Sequence, residues 1–266
     1  MDPSTMAGMA LKASESEGGK TVARLWERVL GPSADVLGQA LGAYTQRRVD
    51  NLATVVKKAN TKSRGREGSV HPRVAHRLIE EGSYADDEMM AEYLSGVLAS
   101  ARTPDEADDR GVSLAALVTS MSSIQVRLHF LLHRTWVDRI AGIDEDLVSM
   151  GDQRGKLTLR GDVIELADAL GIPRDDKLQA RVTHAFAGLI RLGLIENAWT
   201  LGPREESDPL EWLGYYQCQP TPFGFDLYGW ALGMPDVSTA QARTYALAEF
   251  DPSLPLPLQR VLYPNA

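Results

Sequence analysis

The sequence predicts a mainly α-helical protein, with an N-terminal helical region followed by a winged-helix-like domain that carries a small β-ribbon. Three observations predict it. Apolar residues recur at threes and fours over most of the chain up to Ile190, the spacing of a helix face. Glycine and proline punctuate that pattern at helix-length intervals. The last helical segments before Gly193 lead into two short extended runs, and helices followed by a two-stranded ribbon is the winged-helix order.

Residues 1–20, with Met1, Met6 and Met9 and a small polar run from Ser14 to Gly19, read as a mobile leader. From Thr21 the pattern is helical, with Val22, Trp26, Val29 and Leu30 on one face. Gly31-Pro32 stops that helix, and Pro32 opens a long amphipathic one carrying Leu37, Leu41, Tyr44, Arg48, Leu52, Val55, Val56 and Ala59. Thr61–Ser69 is basic, lacks periodicity and reads as a loop. Pro72 starts another helix, with Val74, Leu78 and Ile79 inward and Gly82 closing it. Ser83 and Asp86 resemble a capping box for the next helix, which buries Met90, Tyr93, Leu94, Val97, Leu98 and Ala101. The polar stretch Thr103–Arg110 ends this region, so the helical region spans 21–110.

Beyond it, Val112–Met121 and Ser122–Trp136 give two helices, the second with Ile124, Leu128, Leu131 and Leu132 on one face. Asp162–Leu170 is a short helix ended by Gly171 and Pro173. Asp175 or Asp176 caps a longer one, with Leu178, Val182, Phe186, Leu189 and Ile190 inward. Strand-like runs at Ile195–Leu201 and Trp212–Gln219 flank an acidic turn, and Thr221-Pro222 caps a final helix, Phe223–Leu232. The winged-helix-like domain is therefore placed at 111–235 and a proline-containing tail at 236–266.

The chain has 266 residues, with 28 Lys plus Arg against 36 Asp plus Glu, a net charge of −8. Charged residues at 24% and apolar ones at 44% exclude collagen-like and wholly disordered classes. Its one cysteine, Cys218, excludes a disulfide scaffold and suits a reducing cytoplasm. No apolar run approaches the roughly 18 residues that span a bilayer.

Catalytic patterns are weak. Gly19-Lys20-Thr21 resembles the end of a phosphate-binding loop, but Ser14 stands where that loop needs glycine. His129 and His133 are four apart on a helix, yet Phe130 replaces the glutamate of a zinc-protease pair. They read as histidines flanking an apolar face, half-packed and half-solvated. Cys218 has no histidine near it in sequence, and no serine-hydrolase elbow occurs. No cofactor and no metal is expected.

Charge is arranged in blocks. Between Tyr44 and Arg77 nine basic residues, among them Arg47, Arg48, Lys57 and Lys58, stand against Asp50 and Glu67. Between Glu80 and Asp109 ten acidic residues stand against Arg102. Three arrangements give such a pattern: opposite fields facing each other within one subunit, a head-to-tail contact between subunits, or a cationic face for phosphates. In the presumed winged helix, Lys177, Arg181, His184 and Arg191 form an outer stripe that reaches phosphates or base edges. Against DNA reading, Asp175 and Asp176 sit at that helix's start, and Glu205, Glu206, Asp208 and Glu211 crowd the wing against Arg204. Nucleic acid is a disfavoured partner on that charge.

Gly31-Pro32 followed by Gly38 opens a long helix with Arg47-Arg48, and Pro72 leads into LIEEGSYADDEMMAEYLSGVLASA, Leu78 to Ala101. LAALVTSMSSIQVRLHFLL and the late LIRLGLIE and PTPFG follow. Together they resemble the Abi-alpha (abortive infection alpha) family of bacterial proteins, over roughly Val29 to Leu232. The family often shows Trp and Asn in the phrase matching Ala91–Ala101, where this chain has Tyr93, Ser95 and Ser100, a departure at packing positions. The resemblance implies bacterial defence against phage, in which an infected cell stops growing or dies, and it brings no catalytic residues with it.

The resulting expectation is a cytoplasmic, non-enzymatic antiviral defence protein that acts through protein contacts and self-association. It is a homo-oligomer that meets a protein partner or a phage component. One alternative is a winged-helix regulator binding nucleic acid through Lys177, Arg181, His184 and Arg191, or through the Arg47, Arg48, Lys57 and Lys58 block. Another is an effector that disturbs membranes once its long helix exposes Leu37, Leu41 and Tyr44, with no membrane contact in the resting state.

Overall fold

The computed structural model describes residues 33–247 apart from 64, 86, 106, 144–145, 149–150, 152 and 202–213, together with 254–255, 257–258 and 261–262. The leader, the helix expected from Thr21, the Gly31-Pro32 junction, the acidic turn of the ribbon and part of the tail lie outside these residues. The described protein is mainly helical, with a few short antiparallel strands. The chain divides into two units after Asp50. In the first, the described part is the opening of helix α1 (Ser33–Lys62), where Gln46 donates to Asp50 one turn on. Of Leu37, Leu41 and Tyr44 only the backbone is described.

In the second unit Asn51–Ala266, α1 ends at Lys62, and a two-stranded ladder joins β1 (Ser69–Val70) to β2 (Arg102–Thr103). Helix α2 (Pro72–Gly82) starts as expected on Pro72, with the His71 ring accepting from the Arg73 amide. Its buried stripe is Val74, Leu78 and Gly82, an unbroken i, i+4 row. Ile79, expected inward, stands one step off that row and is 58% exposed.

Helix α3 (Glu88–Ser100) is capped by Asp87, whose carboxylate accepts from the Met89 and Met90 amides. That corrects the expected Ser83–Asp86 box. The Ser83 hydroxyl turns back to the Glu80 carbonyl, while a carboxylate at Asp87 also meets the positive end of the helix dipole. Tyr93, Leu94, Val97 and Ala101 are buried as the pattern requires, and Met90 and Leu98 are half-buried.

Helix α4 (Gly111–Thr119) turns into α5 (Ser123–Ile140) through a reciprocal capping box between Ser122 and Gln125, and α5 runs four residues beyond Trp136. Strand β3 (Leu159–Asp162) then leads straight into α6 (Val163–Leu170), capped by Asp162 and stopped by Gly171 at φ +67°. Helix α7 (Leu178–Arg191) has Lys177 at its cap position without a side-chain bond. Asp175 instead accepts from the Lys177 amide, one step outside the role expected for it. Ile190, expected inward, is 41% exposed, because Val182, Ala185, Phe186 and Leu189 already fill the inner face.

Gly193, at φ +71°, turns the chain into β4 (Ile195–Leu201), which pairs antiparallel with β5 (Tyr215–Pro220) across a bulge between Glu196 and Trp199. Thr221 caps α8 (Pro222–Ala231) by accepting from the Gly224 amide. A short 3-10 segment, Thr239–Leu247, and strand β6 (Val261–Leu262) complete the described chain. The sheet order is β4-β5-β3-β6.

One apolar core runs from Val55 to Leu258 and includes residues on both sides of Thr103–Arg110. Its tightest crossing lies between α3 and α8. A Cβ on Gly96 would sit 1.9 Å from the Ala231 carbonyl oxygen, so only glycine permits this approach. Among the described residues no single helix is long and apolar enough to cross a membrane.

Gly96→Ala is expected to cost about 3 kcal/mol, because the intruding methyl must push two packed helices apart. Urea unfolding checks this as a fall in midpoint at unchanged slope. Gly155→Ala, where an added Cβ meets nothing within 4 Å, is expected to stay within about 0.5 kcal/mol of the parent.

Candidate functional site

Much of the basic block is used inside the fold. Lys58 pairs with Glu92 and lies 3.6 Å from Glu88. The Lys62 ammonium pairs with the same Glu92 carboxylate and donates to the Glu92 carbonyl at 2.7 Å and the Ala231 carbonyl at 2.9 Å. Arg66 donates to the carbonyls of Ala99 and Gly233, Arg73 pairs with Asp109, and Arg77 pairs with Glu81. Of the three arrangements the charge blocks allowed, the first is realised at these residues: basic and acidic segments face each other within one chain. Burial lowers the Lys62 pKa, and Glu92 offsets this in part. Burial pushes Glu92 the other way, but the two lysines outweigh it and hold the carboxyl below its ordinary range.

Lys57 is exposed, next to the engaged Lys58. Arg47 is exposed and Arg48 half-buried, and both belong to the first unit. On α7 the spacing of Lys177, Arg181, His184 and Arg191 puts all four on one outward stripe. Lys177, His184 and Arg191 are exposed, whereas Arg181 is half-buried and bonded to both oxygens of Asp175. Arg204, Glu205, Glu206, Asp208 and Glu211 lie outside the described residues.

The centre of the fold holds a polar cluster built on two histidines expected to be half-packed and half-solvated. His129 and His133 are fully buried rather than half-solvated. The reason is that α5 is covered on several sides, by α3, α7 and α8 among others, and so has no wet flank at this level. Their rings stack at 4.0 Å between centroids. The Tyr93 hydroxyl and His129 Nδ1 share a hydrogen bond of 2.6 Å, and His133 Nδ1 donates to the His129 carbonyl at 2.8 Å. That second bond fixes the His133 tautomer, with its lone pair on Nε2.

Both Nε2 atoms are buried without a hydrogen bond of ordinary geometry, as are the Tyr228 hydroxyl and Trp230 Nε1. Trp136 and Phe225 meet His133 edge-on and Tyr228 stacks on it, while Gly224 passes so close that a Cβ there would lie 2.6 Å from His133 Nε2. Tyr93, expected only as a packing residue, is a hydrogen-bond partner of His129, and Tyr228 is a stacking partner of His133 that the pattern does not single out. The signal for Tyr228 was the run of aromatics Phe223, Phe225, Tyr228 and Trp230 interleaved with Gly224 and Gly229, whereas Tyr93 carried none.

Burial pulls the His133 pKa down to about 3. His129 falls well below its ordinary value through burial first and then its neighbour His133, with the Gly224 backbone opposing slightly. Burial raises the phenols of Tyr93, Tyr228 and Tyr245, so the cluster is neutral. Among the described residues no group of three or more His, Cys, Asp or Glu side chains is arranged to hold a metal. The Cys218 thiol is buried on β5 and pushed up by that burial, the opposite of an activated nucleophile. Gly19-Lys20-Thr21 lies outside the described residues.

Compared with protein-family models, with curated proteins and with solved structures, the chain matches none.

The unfolded chain protonates His133 near the ordinary histidine value of about 6.5, whereas the folded ring resists down to about 3. Stability is therefore complete above pH 6.5 and falls as the pH drops below it. By pH 5 this one group is expected to cost about 2 kcal/mol. Thermal midpoints measured from pH 8 to pH 5 check this, and His133→Gln is expected to flatten the decline.

Proposed function

We propose that the protein is a non-enzymatic element of antiviral defence of the abortive-infection kind, acting through protein contacts and self-association, with α7 as a contact face. The defence role rests on the family resemblance of the sequence. The contact role is supported by one observation, the face that α7 turns to solvent. The succession α5, β3, α6, α7, β4, β5, with β5 paired between β3 and β4, supports reading this part as a winged helix with α7 as its third helix. There Ile190, 41% exposed, lies beside Arg191 on a helix that also exposes Lys177 and His184.

Ile190 lies on the other flank of α7 from the basic stripe, and an exposed apolar side chain on the same helix favours a protein partner. Ile190 gains from burial against apolar atoms but nothing against a phosphate chain. Arg181 is already engaged by Asp175, whose charge repels phosphates at the end of α7 that would enter a groove. Engagement of Lys58 and Lys62 by Glu92 argues in the same direction for the other basic block.

The test is fluorescence anisotropy with generic duplex DNA and single-stranded RNA at low and physiological salt, with mass photometry on the same sample. The expected outcome is no salt-sensitive binding, and particles at a fixed multiple of the 29.1 kDa chain. Monomers that bind nucleic acid tightly, with a salt slope that falls in Arg181→Ala, would overturn the reading and make the protein a nucleic-acid-binding regulator. The defence role is tested by phage challenge of cells expressing the chain. Equal phage yields with and without it would remove that role.

A further inference from the structure

We propose that copies of this chain join head to tail, the α7 face of one docking on the C-terminal end of α2 in the next. The inference rests on the self-association reading and names the surface that α7 meets. In the second unit, the described large apolar side chains left exposed fall into two groups. Ile190 and Phe223 belong to the end of α7 and the start of α8, which the Thr221 hydroxyl ties together by donating to the Gly193 carbonyl at 2.7 Å. Ile79 and Tyr84 belong to the end of α2 and the turn after it. Val56 joins that second group from α1, whose Leu52 and Val55 lie against Gly82.

The two groups carry opposite charge. On α7, His184 and Arg191 are exposed and form no ion pair among the described residues, and Lys177 adds a cation before the first turn. On α2, Arg73 is paired with Asp109 and Arg77 with Glu81. Glu80 is left exposed, with no ion pair among the described residues. Glu88, at the start of α3, lies 3.6 Å from Lys58, but Glu92 holds that lysine more closely. The second patch is therefore apolar with carboxylates beside it, and the first is apolar with cations beside it.

A second copy is the occupant that matches both patches. Packing α7 on α7 across a two-fold axis brings like charges together. Packing α7 on the α2 end instead sets cations beside carboxylates and covers apolar side chains on both partners. A contact between two different patches leaves one of each open at the ends, so it closes into a ring or runs on as a filament.

The test is mass photometry of the full chain and of its Ile79→Glu and Ile190→Glu variants, with circular dichroism to establish that both exposed-site variants fold. The parent is expected to assemble. Each variant alone is expected to lose assembled particles roughly tenfold at equal concentration, because the new carboxylate would be buried against apolar atoms. Mixed in equal amounts, the two variants are expected to form particles of two chains and no larger. The Ile79→Glu copy keeps its α7 face, and the Ile190→Glu copy keeps its α2 end. A mixture without dimers would overturn the head-to-tail contact. Assembly that survives Ile79→Glu would also overturn it, leaving self-association standing through another surface. A parent that is monomeric throughout would remove both readings.

Discussion

The close crossing of α3 over the end of α8 is the constraint on which the rest of the body depends. Helices end with carbonyls that have no partner of their own, and burying them is costly. Here the buried carbonyl ends of α3 and α8 converge on the last turn of α1 and the chain just after it. Lys62 satisfies Ala231, and Arg66 bridges Ala99 and Gly233. Cations at these positions also meet the negative ends of both dipoles. Gly96 lets the backbones close to a distance at which these short bridges form, and Ser100 adds a bond to the Trp230 carbonyl. Glu92 completes the joint by holding Lys58 and Lys62 together, which explains why a carboxylate sits almost fully buried in α3.

That joint in turn encloses the histidine–tyrosine cluster. His129 and His133 remain neutral because α3 and α8 exclude water from both rings, and among the described residues no carboxylate lies against them to favour the charged form. A buried polar network of this kind adds specificity when satisfied. With both Nε2 atoms unbonded it is instead a place where the core depends on protonation.

Local signals were legible in the sequence where the partner is a few residues away. Thr221 before Pro222, Gly171 and Gly193 each act within one turn, and each stands where the pattern put it. The errors arise where the deciding partner is distant. Ile79 and Ile190 carry apolar side chains at nearly correct spacing, but the width of the buried stripe is set by neighbouring helices. His129 resembles a flank residue until Tyr93, thirty-six positions earlier, covers it. Strand β3 contains Arg160 and Gly161 and shows no alternation of its own, so its place beside β5 and β6 was invisible. In the charge blocks the sign pattern was legible, whereas which lysine faces Glu92 and which faces water was decided by the orientation of α1.

The long sequence separation across the α3–α8 joint has a consequence for how the protein is made. Lys62 and Ala231 are 169 positions apart, Arg66 and Gly233 are 167 apart, and Ser100 and Trp230 are 130 apart. On the ribosome, α1 through α3 emerge long before the carbonyls that complete them. During that interval the apolar face of α3 has no α8 to cover it, and the Lys62 ammonium has one of its three acceptors still unsynthesised. The nascent chain is therefore expected to stay loosely collapsed until α8 has cleared the exit tunnel, and then to close in a single late step.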